Sequence, residues 1–344
     1  MNRFFAAACA VLSLTAVLSA QEKVVDTAPK FSGYIRTWHQ TDFSSDQGQF
    51  LVKMARIAVG GNVNELAFYK FMVDAAPLSK FATTSTTING TKVLTGASAT
   101  FSDILLDAQG SIAPVTNLVL SLGQFKVPFS TDNLRGGASI DFVNRPLLTG
   151  VAPSLRDIGF AGTYKFKGSN PVDISAGVFN GTGQNKSEAD RSANYVARAT
   201  LGVLKGLNLA GSYYGGRGAG SDLSIFDLGI DWSMDQLFLD GEFAQRNTKT
   251  TAATITSSSF FGYVVYSIPF EESAVKSIIP ALRYESFDPN SSVSNNEIDR
   301  ITVGVAVEFA KISFAQFRIN YEKYDYKDGS SNPDKLIFEM QTRF

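Results

Sequence analysis

Cysteine is almost absent from this chain. Cys9 is the single copy and lies in an apolar leader, so the remainder has no disulfide frame. Histidine is nearly absent as well. A Ser-His-Asp arrangement would have to use His39, and no nucleophile motif surrounds it. No apolar run beyond the leader reaches the ~18 residues that a membrane helix requires. Charge of one sign is also missing: 31 Lys+Arg stand against 32 Asp+Glu. That balance excludes the basic excess expected of a nucleic-acid partner. Stretches of helical period are scarce, and no linker separates two domains. Gly215–Ser221 is glycine-rich but lacks the Lys-Ser/Thr of a phosphate loop. The oxygen-rich stretches Asp288–Glu297 and Asp325–Asp334 read as solvated loops rather than calcium sites. No catalytic residue, metal or cofactor is expected.

The first 20 residues read as a secretory leader: Arg3, the apolar run Phe4–Leu18, then Leu18-Ser19-Ala20 before Gln21. Residues 21–344 are expected to form one domain.

What is present is alternation. Segments of about ten residues place apolar side chains on one face and polar or small ones on the other, the mark of strands. Strands are expected to start near Phe31, Phe50, Glu65, Phe101, Asn117, Asp157, Pro171, Ala193, Gly206, Leu223, Gln236, Ser259, Ile279, Ile298, Ile312 and Lys335, sixteen in all. In Arg300–Phe309, Ile301, Val303, Val305 and Val307 share one face, and Arg300, Thr302 and Glu308 the other. A soluble sandwich and a membrane barrel both allow this period. The connections separate them. Long ones (Thr41–Gln49, Ala75–Ala99, Pro128–Arg156, Gly181–Ser192, Gly215–Asp222, Arg246–Thr256, Asp288–Glu297, Lys327–Asp334) alternate with tight ones such as Leu204–Lys205 and Met234–Asp235. That rhythm belongs to an up-and-down transmembrane β-barrel with short periplasmic turns and longer external loops. The all-β reading is therefore a sixteen-stranded antiparallel barrel in the outer membrane of a Gram-negative-type cell. It closes because lipid cannot satisfy an open sheet edge. The terminal Phe344 resembles the signal read by the outer-membrane assembly machinery.

With an even strand number both termini face the periplasm, so Pro128–Arg156 is the third external loop, expected to fold into the lumen. Gly123–Ser130 (GQFKVPFS), Asn144-Arg145-Pro146-Leu147 and Arg156-Asp157-Ile158-Gly159 resemble the core pattern of the porin O and P family, the phosphate- and polyphosphate-selective porins. Fragments around Arg56, Val178–Gly183, Gly241-Glu242-Phe243 and Arg283-Tyr284-Glu285 follow in the family's order. The resemblance implies a homotrimer of barrels that pass small hydrophilic solutes without energy input; it does not by itself imply anions such as phosphate, and the mixed, acid-rich lining does not support a strong phosphate trap. A structural or adhesive barrel with an occluded lumen, or an outer-membrane lipid hydrolase, are the rival readings.

Constriction candidates are Arg135, Arg145, Arg156 and Lys126. Arg135 is expected to face the lumen. Arg145 and Arg156 would either contact anions or pin the loop through Asp132, Asp141 and Asp157. Lys126 shares the parity of Leu118, Leu120 and Leu122, so either a bulge near Gly123 changes the register or Lys126 rises above the apolar band. Parity makes Arg56, Lys165, Arg198, Arg283, Arg300, Arg318 and Arg343 the basic lining. It also places more acids there, among them Asp227, Asp240, Glu242, Glu285, Glu322 and Glu339. Tyr213, Tyr284, Tyr321, Trp232 and Trp38 read as lipid-face or girdle aromatics, and His39 as interfacial. Ala82–Thr100 reads as an external loop.

Overall fold

The computed structural model describes residues 25–344 except 80–81, 89–90, 99–103, 189–191, 219, 272–273, 310–313 and 331. The leader, the start expected at Phe101 and that at Ile312 lie outside the described residues.

Sixteen antiparallel strands form one sheet: β1 (Lys30–Asp42), β2 (Gln47–Asn62), β3 (Ala67–Asp74), β4 (Leu105–Val115), β5 (Leu118–Lys126), β6 (Arg156–Phe166), β7 (Val172–Phe179), β8 (Asn194–Leu204), β9 (Leu207–Gly218), β10 (Ser221–Met234), β11 (Leu237–Lys249), β12 (Thr254–Tyr266), β13 (Val275–Asp288), β14 (Ile298–Phe309), β15 (Phe314–Tyr326) and β16 (Lys335–Arg343). A two-residue piece, Ile268–Pro269, continues β12 against β13. The sheet closes where β1 pairs β16, from Tyr34 opposite Arg343 to Asp42 opposite Lys335. Closure leaves no barrel edge for lipid to meet.

The faces divide as the alternation requires. Leu228 and Val303 are 60% and 53% exposed, while their neighbours Asp227 and Thr302 are 1% and 0% exposed. Large apolar side chains therefore cover the outside, and the polar row faces the lumen. Gly33 and Phe344 exchange backbone hydrogen bonds of 2.9 and 3.0 Å, so the start of β1 and the end of β16 meet at one rim. The longest connections, 75–104 and 127–155, leave from the opposite rim, the external one.

The connection rhythm differs from expectation at three places. Gly215–Asp222, Arg246–Thr256 and Thr41–Gln49 are mostly ladder: Gly218 pairs Ser221, Lys249 pairs Thr254, and Asp42 pairs Gln47. The strands continue past the apolar band, where polar and glycine residues no longer alternate visibly, so a ladder reads as a loop. Within Ala82–Thr100, Ala82–Ile88 pairs Thr91–Ser98 in a separate two-stranded hairpin.

Candidate functional site

The stretch from Val127 to Leu155 packs against inward-facing side chains of the barrel wall. Its neck closes where the Val127 amide donates to the Leu155 carbonyl at 3.2 Å. Gly123 holds φ at +127°, and a Cβ there would meet the Ala108 carbonyl oxygen at 2.2 Å. Only glycine fits that backbone. The ladders on both sides of β5 pass Gly123 without a register shift, so no bulge reorients Lys126. Lys126 is the last residue of its strand, and its ammonium turns onto the carbonyls of Asn133, Leu134 and Arg135 at 2.8, 3.1 and 2.6 Å.

Those carbonyls end a single helical turn, α1 (Thr131–Leu134), capped at its start by the Ser130 hydroxyl, which accepts from the Asn133 amide. At the same end Glu242 accepts from the amides of Thr131 and Asp132 at 2.6 and 3.2 Å. A carboxylate thus sits at the amide end and an ammonium at the carbonyl end, the polarity that a helical turn favours. The sequence shows neither this turn nor the 3₁₀ turn Leu147–Gly150. Both are too short for periodicity and depend on wall side chains for their termini.

Two unlike walls hold the segment. On one side, Phe129, Phe142, Leu148 and Val151 are fully buried and pack with Phe179, Tyr214, Ile225 and Tyr263 of the wall. Phe142 meets Tyr263 edge-on at 5.3 Å. Strands β7 to β12 thus turn aromatic and aliphatic groups inward, and part of the lumen is a packed core.

On the other side the wall presents arginines. The Arg36 guanidinium donates to the carbonyls of Gly137 and Val143 at 2.9 and 2.7 Å. Arg318 donates to those of Ile140 and Phe142 at 2.5 and 3.3 Å. Arg343 and Gln341 reach Ala138, Arg283 reaches Asn144 at 3.0 Å, and Arg300 reaches Arg145 at 2.8 Å. Buried loop carbonyls need donors, and no ladder supplies them here. An arginine has five donors, enough for a carbonyl and a carboxylate together. Glu339, fully buried, accepts from Arg36, Arg318 and the Trp38 indole. Glu285 accepts from Arg283, Arg300 and the Leu147 amide. Glu322 accepts from the Asn144 side chain.

Most of the basic sequence candidates hold carboxylate partners. Arg145 binds Asp132 at 2.8 Å and the Arg135 carbonyl at 2.6 Å. Arg135 binds Asp141 at 2.7 Å, and also Tyr263. Burial pulls the Arg135 guanidinium down, but its neighbours, Asp141 foremost with Tyr263 and Asp132, together outweigh it, so its pKa stands above the ordinary value. Arg156 pairs with Asp107 at 2.6 Å and not with Asp157, which accepts the amides of Ile158 and Gly181. Arg56 pairs with Asp74 at 2.8 Å, Arg198 bonds Ser212 and Thr131, and Lys165 faces Asp173 at 3.5 Å near the periplasmic rim.

Trp38 corrects its assignment to the girdle: it is 3% exposed and packs inward on Val143. Its aromatic character suggested lipid, yet it shares parity with Tyr34 and Arg36. That parity was the available signal for Arg36, which the sequence reading missed. His39 lies on the outer face, its ring 4.6 Å from that of Phe50.

Two cavities flank the segment on its external side, of about 620 and 630 Å³. Arg145, Thr149 and Gly150 line both. The first adds Arg246, the second Arg36, Lys53, Arg300 and Lys335. Among the described residues, neither lining contains a carboxylate.

No curated protein matches the sequence. Among solved structures, the barrel resembles an anion-selective porin from Comamonas acidovorans (11% identity, 92% of this chain and 99% of that one, TM-score 0.60). It also resembles the outer membrane channel DcaP of Acinetobacter baumannii (13%, 95% and 100%, 0.59) and OmpT of Vibrio cholerae in trimer form (12%, 92% and 98%, 0.56). Such identities speak to the fold. The model of the family described as phosphate-selective porin O and P matches residues 36–214, which include β5, the inner segment and the start of β6. The chain thus belongs to the phosphate-selective porin O and P family and is an outer-membrane porin.

Proposed function

We propose that this porin favours small anions, with Val127–Leu155 as the constriction and Arg145 as the segment side chain that meets the solute. The observation that carries this reading is the absence, among the described residues, of any carboxylate from the linings of both external cavities, with Arg145 shared between them. Basic cavity walls beside the segment attract anions and repel cations. The wall acids Glu285, Glu322 and Glu339 offset little of it, since arginines already hold them. Arg135, Arg156 and Lys126 act mainly by positioning the segment.

Planar-bilayer recording across a potassium chloride gradient tests this. The wild type should give a reversal potential on the anion side, and Arg145→Ala should move it toward zero more than Arg135→Ala does. Cation selectivity in the wild type would overturn the reading. Liposome swelling with small sugars should proceed; a barrel that excludes them would favour an occluded, structural role.

A homotrimer is proposed on the family's behaviour and on the trimer form of the Vibrio cholerae structure. Unheated and heated gel migration tests it. Outer-membrane lipid covers the apolar outer face, and the exposed Phe344 suits recognition by the assembly machinery.

A further inference from the structure

The first cavity, of about 620 Å³, holds a guanidinium that the wall does not use. Arg246 lines it from β11, on the parity of the buried Asp240, Glu242 and Ala244. In register it lies beside Ile225 on β10 and Ser257 on β12, and beyond Ile225 comes Tyr214 on β9. No acid stands in that row. Glu242 is four residues back along β11, roughly 13 Å of strand. It is also engaged, accepting from the amides of Thr131 and Asp132. Among the described residues Arg246 forms no ion pair. Its Nε donates to the Thr248 hydroxyl at 3.2 Å, and both Nη atoms are left without a partner. A guanidinium fixed through Nε presents that pair as a fork, matched to two oxygens of one carboxylate or phosphate.

The same cavity offers hydrogen-bonding groups of both kinds. Asn133 is 4% exposed and lines it, yet the Asn133 side-chain amide has no hydrogen bond among the described residues. Its backbone is engaged separately, with the amide on Ser130 and the carbonyl on Lys126. Burying an amide with neither its donors nor its acceptor met is unfavourable, so this one calls for a partner. The Tyr214 hydroxyl accepts from Asn194 at 3.0 Å and keeps its own proton to give. The Thr149 hydroxyl gives its proton to the Pro146 carbonyl at 3.0 Å and keeps lone pairs to accept with. A fully ionised inorganic anion only accepts, and it would leave the Asn133 and Thr149 oxygens unanswered. Hydroxyl groups give and accept. The cavity is also larger than one inorganic ion fills and falls in the range of organic ligand sites.

Resting on the anion-favouring reading above, we propose that this cavity is an external subsite for polyhydroxylated organic acids, the class of the open-chain sugar acids. The Arg246 fork holds the carboxylate. Asn133, Tyr214 and Thr149 exchange hydrogen bonds with the hydroxyls. A site built to bond hydroxyls discriminates strongly against the analogue that lacks them, because its own polar groups then stay unpaired.

The test is current block by gluconate added to the external side of wild-type channels in a bilayer. Hexanoate, of equal chain length without hydroxyls, and inorganic phosphate are the controls. Reversal potential is measured on the same channels. Gluconate should half-block at a concentration about tenfold or more below hexanoate. Arg246→Gln should raise the half-blocking gluconate concentration about tenfold, as expected for one lost charge-assisted fork. Asn133→Ala should raise it about fivefold for gluconate and leave hexanoate unchanged, a split that loss of charge or of fold would not give. Unheated gel migration verifies that each variant folds. Equal block by gluconate and hexanoate, or unchanged gluconate block in both variants, would overturn the subsite in a channel that is still anion-selective. Cation selectivity of the wild type would overturn the parent reading, and this one with it. Stronger block by phosphate than by gluconate would refute the hydroxylated class.

Discussion

The two walls that hold the inner segment are built on opposite principles. From β7 to β12 the lumen offers aromatic and aliphatic side chains, and the segment answers with Phe129, Phe142, Leu148 and Val151. From β13 through β16 to β1 it offers arginines, and the segment answers with its backbone carbonyls. Apolar packing is non-directional and fixes where the segment lies. Hydrogen bonds from rigid guanidinium forks are directional and fix how its backbone is turned. The difference also explains why the arginine row does not read as a solute ladder: its donors are directed at wall carboxylates and segment carbonyls.

The comparison breaks most severely at Glu339. Glu339→Ala would leave Arg36 and Arg318 buried without their shared carboxylate, and removing one partner of a buried pair costs about 3–5 kcal/mol. Unfolding in urea from lipid vesicles should show that loss, together with larger and noisier single-channel conductance as residues 137–143 lose their hold. Unchanged conductance would mean that the clamp does not position the segment. Phe129→Ala acts on the other wall. A fully buried Phe truncated to Ala costs roughly 3–5 kcal/mol, at the lower end here because lumen water can enter the space. Stability should fall while reversal potential holds, since no charge moves.

Arg318→Lys is milder. One ammonium cannot reproduce the fork that joins Glu339 to Ile140 and Phe142, and about 1–3 kcal/mol should be lost. Combining it with Phe129→Ala sharpens the contrast. If the segment is one rigid body held at both sides, the double variant should depart from additivity by roughly 0.5–3 kcal/mol; strict additivity would show two independent attachments. His39→Ala should change least, leaving conductance within error, because His39 faces outward beside Phe50. A large conductance change there would contradict its placement.

Much of this was legible in residues alone. Period-two alternation sufficed for all sixteen strands, because a barrel wall separates lipid from lumen at every residue and the pattern is local. Starts deviated most at β12 and β13, Thr254 and Val275 rather than Ser259 and Ile279. There the added residues lie beyond the apolar band and carry no alternation. The inner segment was legible as an insertion by its length and its Pro and aromatic content. Its arginines were legible as either solute contacts or pins; their partners Asp132, Asp141 and Asp107 were not fully legible, since Asp107 lies on another strand.

Local sequence therefore determined the strand number, the inward and outward faces and the existence of the segment. Tertiary structure alone decided the partners. Glu339 meets Arg36 only because the last strand closes on the first, some three hundred residues apart, and closure is invisible to any local pattern. A bulge at Lys53 has the same origin: one residue more on β2 than on its neighbour β1, which only the paired register reveals.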